Sequence, residues 1–146
     1  MIENREDVAR ILFSPKMIHD GVLLPAAFEL RSHISEDYLS VLRSSIPSWK
    51  EEMQLVPNRR NRTAIAYSTL NVGETRALSD YDTIFDVEAF PSEKFKSRAG
   101  ITLIYKGEKV VGGNPINQSS STAESFIRLA IRYKLLALAR KEVHYL

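Results

Sequence analysis

The sequence predicts an α+β fold: a mixed, mainly antiparallel sheet of about five strands packed against a long C-terminal helix and one shorter helix, in a single domain spanning residues 1–146. Three observations point there. Short segments rich in β-branched and aromatic residues recur along the chain. Two stretches with helical spacing each open on a capping-box pair. The length of 146 residues, with 44% hydrophobic and 26% charged residues, suits one hydrophobic core.

Val8 to Phe13 has the β-branched content of a strand and runs into a turn at Ser14-Pro15. Asp20-Gly21 marks a second turn, and Pro25 keeps the following Val22–Leu30 segment out of a fully paired strand, so an extended edge or an irregular packed segment is expected there. Tyr38 to Leu42 alternates weakly as a short strand. Ser48 and Glu51 have capping-box spacing ahead of Trp49, Met53 and Val56 at i, i+4 and i+7, which predicts a helix over 48–56 ended by Pro57 and docked on the sheet.

Thr63 to Leu70, Tyr81 to Phe90 and Gly100 to Tyr105 are the clearest strands. Lys106-Gly107, with a glycine suited to positive φ, predicts a hairpin into Glu108–Val111. After the polar linker from Gly112 to Ser120, the pair Ser121 and Glu124 opens the C-terminal helix. Phe126, Ala130, Tyr133 and Ala137, flanked by Ile127, Ile131, Leu135 and Leu138, predict a broad buried face, with Arg140, Lys141 and His144 toward the helix end where cations complement its dipole. Both helices are expected on the same face of the sheet.

Composition narrows the function classes. The chain has no cysteine, which excludes disulfides, thiolate metal sites and cysteine nucleophiles and fits a reducing, cytoplasmic setting. The first residues, charged from Glu3 onward, lack the apolar core of an export signal. The apolar stretch from Ala123 to Ala139 is broken by Arg128, Arg132 and Lys134, short of the roughly 20 apolar residues of a membrane span, so no membrane partner is expected. With 20 basic against 18 acidic residues the net charge is +2, which neither demands nor forbids a nucleic-acid partner.

The sharpest charged motif is Pro57-Asn-Arg-Arg-Asn-Arg62. Arg59, Arg60 and Arg62 present guanidinium forks suited to phosphate, and the asparagines suit base edges, so the motif is a candidate RNA or DNA contact. A solvated turn uses the same residue types, and no aromatic is interleaved to stack on bases. Asp86 and Glu88 share one face of a strand close to Asp80 and Asp82, which would suit a hard cation, but a half-exposed strand edge explains them and no metal site is expected. His19, His33 and His144 are too far apart for a local zinc motif. His33, beside Ser32 and near Glu36 and Asp37, is the best acid–base candidate.

Arg10 completes the candidate catalytic set of His33, Arg10 and Glu36, because an arginine buried within a strand needs a carboxylate partner. Gly112-Gly113-Asn114 and Ser119–Ser121 are weak anion-loop features explained by a flexible exit and an N-cap. Dinucleotide, Walker, nucleophile-elbow and zincin motifs are absent from the sequence, and no cofactor is expected. By elimination, the leading expectation is a small intracellular protein-binding module acting as an accessory, regulatory or inhibitor subunit. Its alternatives are an RNA-binding or RNA-processing protein using Arg59, Arg60 and Arg62, and a small enzyme with a site around His33.

Overall fold

The chain folds, in a computed structural model that describes residues 1–31, 36–112 and 121–146 (side chains of 121–127 excepted), around a seven-stranded antiparallel sheet. Its strands are β1 (Asp7–Ser14), β4 (Leu39–Arg43), β5 (Thr63–Asn71), β6 (Thr83–Ala89), β7 (Arg98–Tyr105), β8 (Glu108–Lys109) and β9 (Val143–Tyr145). The order across the sheet is β6-β7-β4-β1-β5-β9, with β8 paired to the far end of β7. The expected count of about five falls short; the strand with no counterpart in the sequence reading is β9, three residues long and too short to show periodicity.

Side-chain alternation sends Val8 and Leu12 of β1, Leu39 and Val41 of β4, and Ala66 and Leu70 of β5 to one face, where they join the buried core. Helix α3 (Ser121–Ala139) covers this face with Ile131, Leu135, Leu136 and Ala139. The apolar row expected to be buried is turned away: Ala130, Tyr133 and Ala137 are exposed, while the flanking Ile131, Leu135 and Leu138 are buried. Periodicity placed an apolar stripe on the helix but not its centre, because apolar residues extend over more than half of its circumference.

The shorter helix α1 (Trp49–Gln54) lies on the opposite face instead of sharing it. There Trp49 meets Tyr67 edge-on at 5.3 Å between ring centroids, and Tyr67 alternates with the core residues Ala66 and Ser68. The capping box expected from Ser48 and Glu51 does not form: the Ser48 hydroxyl donates to the carboxylate of Glu52, one residue further on. Glu52 is buried, and it also accepts from the Ser97 backbone N–H at 2.8 Å and the Ser97 hydroxyl at 2.7 Å, which pins α1 to the start of β7.

Lys106 and Gly107 both have positive φ, 48° and 82°, and close the β7–β8 hairpin with Tyr105 opposite Glu108, as expected. Asp20 and Gly21, at 51° and 76°, close a second hairpin between β2 (Ile18–His19) and β3 (Val22–Leu23). Pro25 then opens a 3-10 turn over Pro25–Phe28. Beyond α3 the chain turns back, so His144 belongs to edge strand β9 and not to the helix end, where the last turn carries no basic residue. Helix α2 (Val72–Arg76) follows β5 directly, with the Asn71 side chain accepting from the Glu74 N–H at 2.9 Å.

Candidate functional site

Arg10 sits midway along β1, and its side chain points to the α3 face between Val8 and Leu12. It is 8% exposed. Its Nε donates to the Ala27 carbonyl at 2.9 Å and its Nη1 to the Ser40 carbonyl at 2.7 Å. The 3-10 turn that Pro25 starts presents the first acceptor, and β4, which pairs β1, presents the second. No carboxylate lies within ion-pair distance of Arg10 among the described residues, contrary to the expectation from its burial. Two carbonyls replace the expected partner, neutral acceptors that hold the guanidinium in place without cancelling its charge.

Nη2 of Arg10 joins neither bond; among the described residues the Ser68 hydroxyl is the buried side-chain polar atom that lacks a partner. Burial pushes the Arg10 pKa down to about 10; nearby Glu36 opposes that, and Arg62 and Arg31 push it further down. The guanidinium therefore stays charged at neutral pH.

Arg31 and Arg62 are the two arginines whose charges act on it. A bulge between Leu12 and Phe13 re-aims the end of β1, and Arg62 lies over the Phe13 ring at 3.8 Å. Burial holds the Arg62 pKa below its ordinary value, and the charges of Arg31 and Arg59 act in the same direction. Arg62 belongs to a tight two-residue turn in which Arg59 and Arg62 exchange backbone hydrogen bonds of 2.8 and 2.9 Å, leaving Arg60 and Asn61 exposed at the tip. The Asn58 side chain accepts from the Ala64 N–H at 2.9 Å and ties the turn to β5.

Arg31 grips Glu36 with Nε at 3.2 Å and Nη2 at 3.0 Å, while the Arg31 backbone N–H donates to the same carboxylate at 3.1 Å. Gly112 backs this clamp, its N–H donating to the Glu36 carbonyl at 2.8 Å. A Cβ at Gly112 would stand 2.5 Å from the Arg31 carbonyl oxygen, so this position requires glycine by close approach.

Residues that the sequence placed in separate classes thus act on one another through their charges: Arg10 and Glu36, expected as catalytic candidates, and Arg62, expected in a nucleic-acid loop, with Arg59 acting on Arg62 and Arg60 exposed at the tip of the turn. His33 lies outside the described residues, as do Gly113, Asn114, Ser119 and Ser120. Sequence reasoning left Arg31 among scattered arginines and read Gly112 as part of a linker; the Arg31–Glu36 pair is local but follows no helical or strand spacing, and the role of Gly112 comes from a contact with a distant segment.

The acidic pair resolves differently. Asp86 forms an ion pair with Arg76 at 2.8 Å, and Glu88 is exposed. No group of three histidine, cysteine, aspartate or glutamate residues among the described residues is arranged to hold a metal. His19 lies 3.4 Å from Asp20 on the surface, and His144 stacks on Tyr67 at 4.9 Å. No family model, curated protein or solved structure matches the chain. Among the described residues, no helix is long and apolar enough to cross a membrane.

Proposed function

We propose that this chain is a nucleic-acid-binding module that engages phosphates through Arg59, Arg60 and Arg62 on the turn, with Arg10 and Arg31 adding to the positive charge beside it. One observation carries the reading: a buried arginine held by two carbonyls has no carboxylate at ion-pair distance among the described residues, and the charges acting on it are those of Arg31 and Arg62 against the single carboxylate of Glu36. Clustered guanidinium groups on one edge form an electrostatic footprint even where the net charge of the whole chain is small. Two backbone hydrogen bonds fix the backbone of the turn that carries Arg59 and Arg60 before a ligand arrives, which lowers the entropic cost of ordering it on binding.

The reading predicts a binding equilibrium that weakens with salt. Arg59→Ala with Arg60→Ala, at two exposed positions, should leave the melting temperature unchanged. It should also reduce the slope of log affinity against log salt by about 1.4, at roughly 0.7 per lost contact to a single strand. Fluorescence anisotropy on a single-stranded RNA oligonucleotide over a salt series measures both. An unchanged slope removes the turn from the interface.

A protein partner, the leading expectation from the sequence, has its own support on a separate surface. Leu129, Ala130, Tyr133 and Ala137 leave the outer side of α3 exposed and apolar, a composition that suits a protein contact. The two readings use different surfaces, so the salt series separates them: association through α3 persists at high salt, and association through the arginine turn does not.

A further inference from the structure

On the β6 side of the sheet, away from the arginine turn that leads into β5, a half-open cavity of about 210 Å³ lies between the sheet and α3. Its sheet wall is a directly opposed pair of the β6–β7 ladder, Thr83 and Tyr105. Its helix wall is Ala130, Ile131 and Lys134, and the turn into β6 adds Asp80 and Asp82, so every lining residue is a described one. At this size it suits a ligand of a few heavy atoms, below the roughly 300–1,000 Å³ of sites for drug-sized molecules.

Two of the lining side chains are buried without being satisfied. Thr83 is 6% exposed and Tyr105 9%, and neither hydroxyl has a hydrogen-bond partner among the described residues. Native structures keep few such groups, because a hydroxyl taken out of water needs a replacement for it. The Ser68 hydroxyl is closed off, whereas these two side chains border a space in which a ligand can meet them.

The charges around the cavity are unequal. Asp80 is fully engaged: Oδ1 accepts from the Asp82 and Thr83 N–H groups at 2.9 and 2.7 Å, and Oδ2 accepts from Lys134 Nζ at 3.0 Å. Asp80 and Lys134 therefore neutralise each other and brace the wall. The half-buried Asp82 carboxylate has no hydrogen bond or ion pair among the described residues. Lys106, whose Nζ lies 5.4 Å from the centre of the Tyr105 ring, does not pair with it either. One negative charge is left over beside two unpaired hydroxyls.

We propose that this cavity binds the primary ammonium group of an alkylamine, free or borne by a lysine side chain, through Asp82 and the hydroxyls of Thr83 and Tyr105. An ammonium has three donors and no acceptor, which matches one carboxylate and two hydroxyl oxygens. Its alkyl stem packs on Ala130 and Ile131. A neutral ligand or a water satisfies the hydroxyls but leaves the charge of Asp82 unmatched. A quaternary ammonium is held by several aromatic faces, and Tyr105 supplies the single ring of this lining. A calcium ion takes six or more oxygens, and no such group of acidic or histidine ligands is arranged among the described residues.

The test is a titration of the ¹⁵N-labelled chain at pH 7 and fixed ionic strength, followed by amide chemical shifts, with n-butylammonium and with a lysine-containing tripeptide. Saturable shifts at Asp82, Thr83, Tyr105 and Lys134 are expected, with half-saturation by the preferred probe at about 1–10 mM. Tighter binding of the tripeptide assigns the ammonium to a protein lysine, and tighter binding of n-butylammonium assigns it to a free amine. Asp82→Asn, Thr83→Val and Tyr105→Phe, which keep side-chain shape, should each weaken binding about tenfold. The last two should leave the melting temperature unchanged or raised, because they remove hydroxyls that have no partner. A lowered melting temperature would show that those hydroxyls are bonded within the protein, and it overturns the site. So do an absence of saturable shifts, an affinity indifferent to Asp82→Asn, equal binding of tetramethylammonium, and the same shifts produced more tightly by calcium. None of these outcomes bears on RNA binding at the arginine turn.

Discussion

Arg10 and Ser68 stand opposite each other in the β1–β5 ladder, two polar side chains on a face otherwise given to Val8, Leu12, Ala66 and Leu70. Their treatment differs. Arg10 reaches across to two carbonyls, whereas the Ser68 hydroxyl is fully buried with no partner. An orphaned hydroxyl costs about 1–3 kcal/mol of desolvation that no bond recovers. Ser68→Ala should therefore raise stability by about 1 kcal/mol, read from the urea midpoint. A loss of stability would show instead that the hydroxyl is bonded in solution. At this scale the sequence was legible for Arg10, because an arginine between apolar strand residues is conspicuous. It was silent on Ser68, since serine in an alternating strand reads as solvent-facing.

The elements were legible where a run of residues repeats one preference. β5, β6 and β7 each carry seven to nine residues of β-branched and aromatic character and lie within two residues of their expected bounds. Elements that depend on one side chain or on tertiary pairing were not. Five-residue α2 rests on the Asn71 cap and its packing on β5 and β6, and β9 exists only because the chain after α3 folds back on β5. The Arg31–Glu36 clamp belongs in part to the same class. The pair itself is five residues apart, but it is backed by a distant segment at Gly112. Gly112→Ala should push the Arg31 carbonyl away and loosen the Arg31–Glu36 pair. The expected outcome is a melting temperature lowered by a few degrees, corresponding to about 1–2 kcal/mol, together with weaker binding of single-stranded RNA. An alanine variant matching the parent in both measurements would show that the clamp is not supported from this side.

For the whole molecule, charge pairs decide how the pieces are fastened. Glu6 accepts from Arg43 at 2.9 Å and from the Ser45 hydroxyl at 2.7 Å, which ties the start of β1 to the end of β4. Glu52 ties α1 to β7 from the opposite face. Burial alone would raise both carboxyl pKa values. For Glu6 the Glu3 N–H, Ser45 and Arg43 outweigh it, and for Glu52 Ser48, Ser97 and the charge of Lys96 do, so both end below the ordinary 4.5. A depressed folded-state value means that the unfolded chain binds protons more readily. The stabilisation is therefore complete above about 4.5 and is lost as pH falls through the lower, folded-state values. Replacing Glu52 by Gln removes a charged acceptor of two Ser97 donors and should cost about 2 kcal/mol at neutral pH. That deficit should shrink as pH drops below about 4.5, because the parent's own carboxylate becomes protonated there. Urea melts of parent and variant across this range measure it. A deficit that stays constant with pH would assign the loss to altered geometry around Ser97 and leave the charge of Glu52 without a part in joining the two faces.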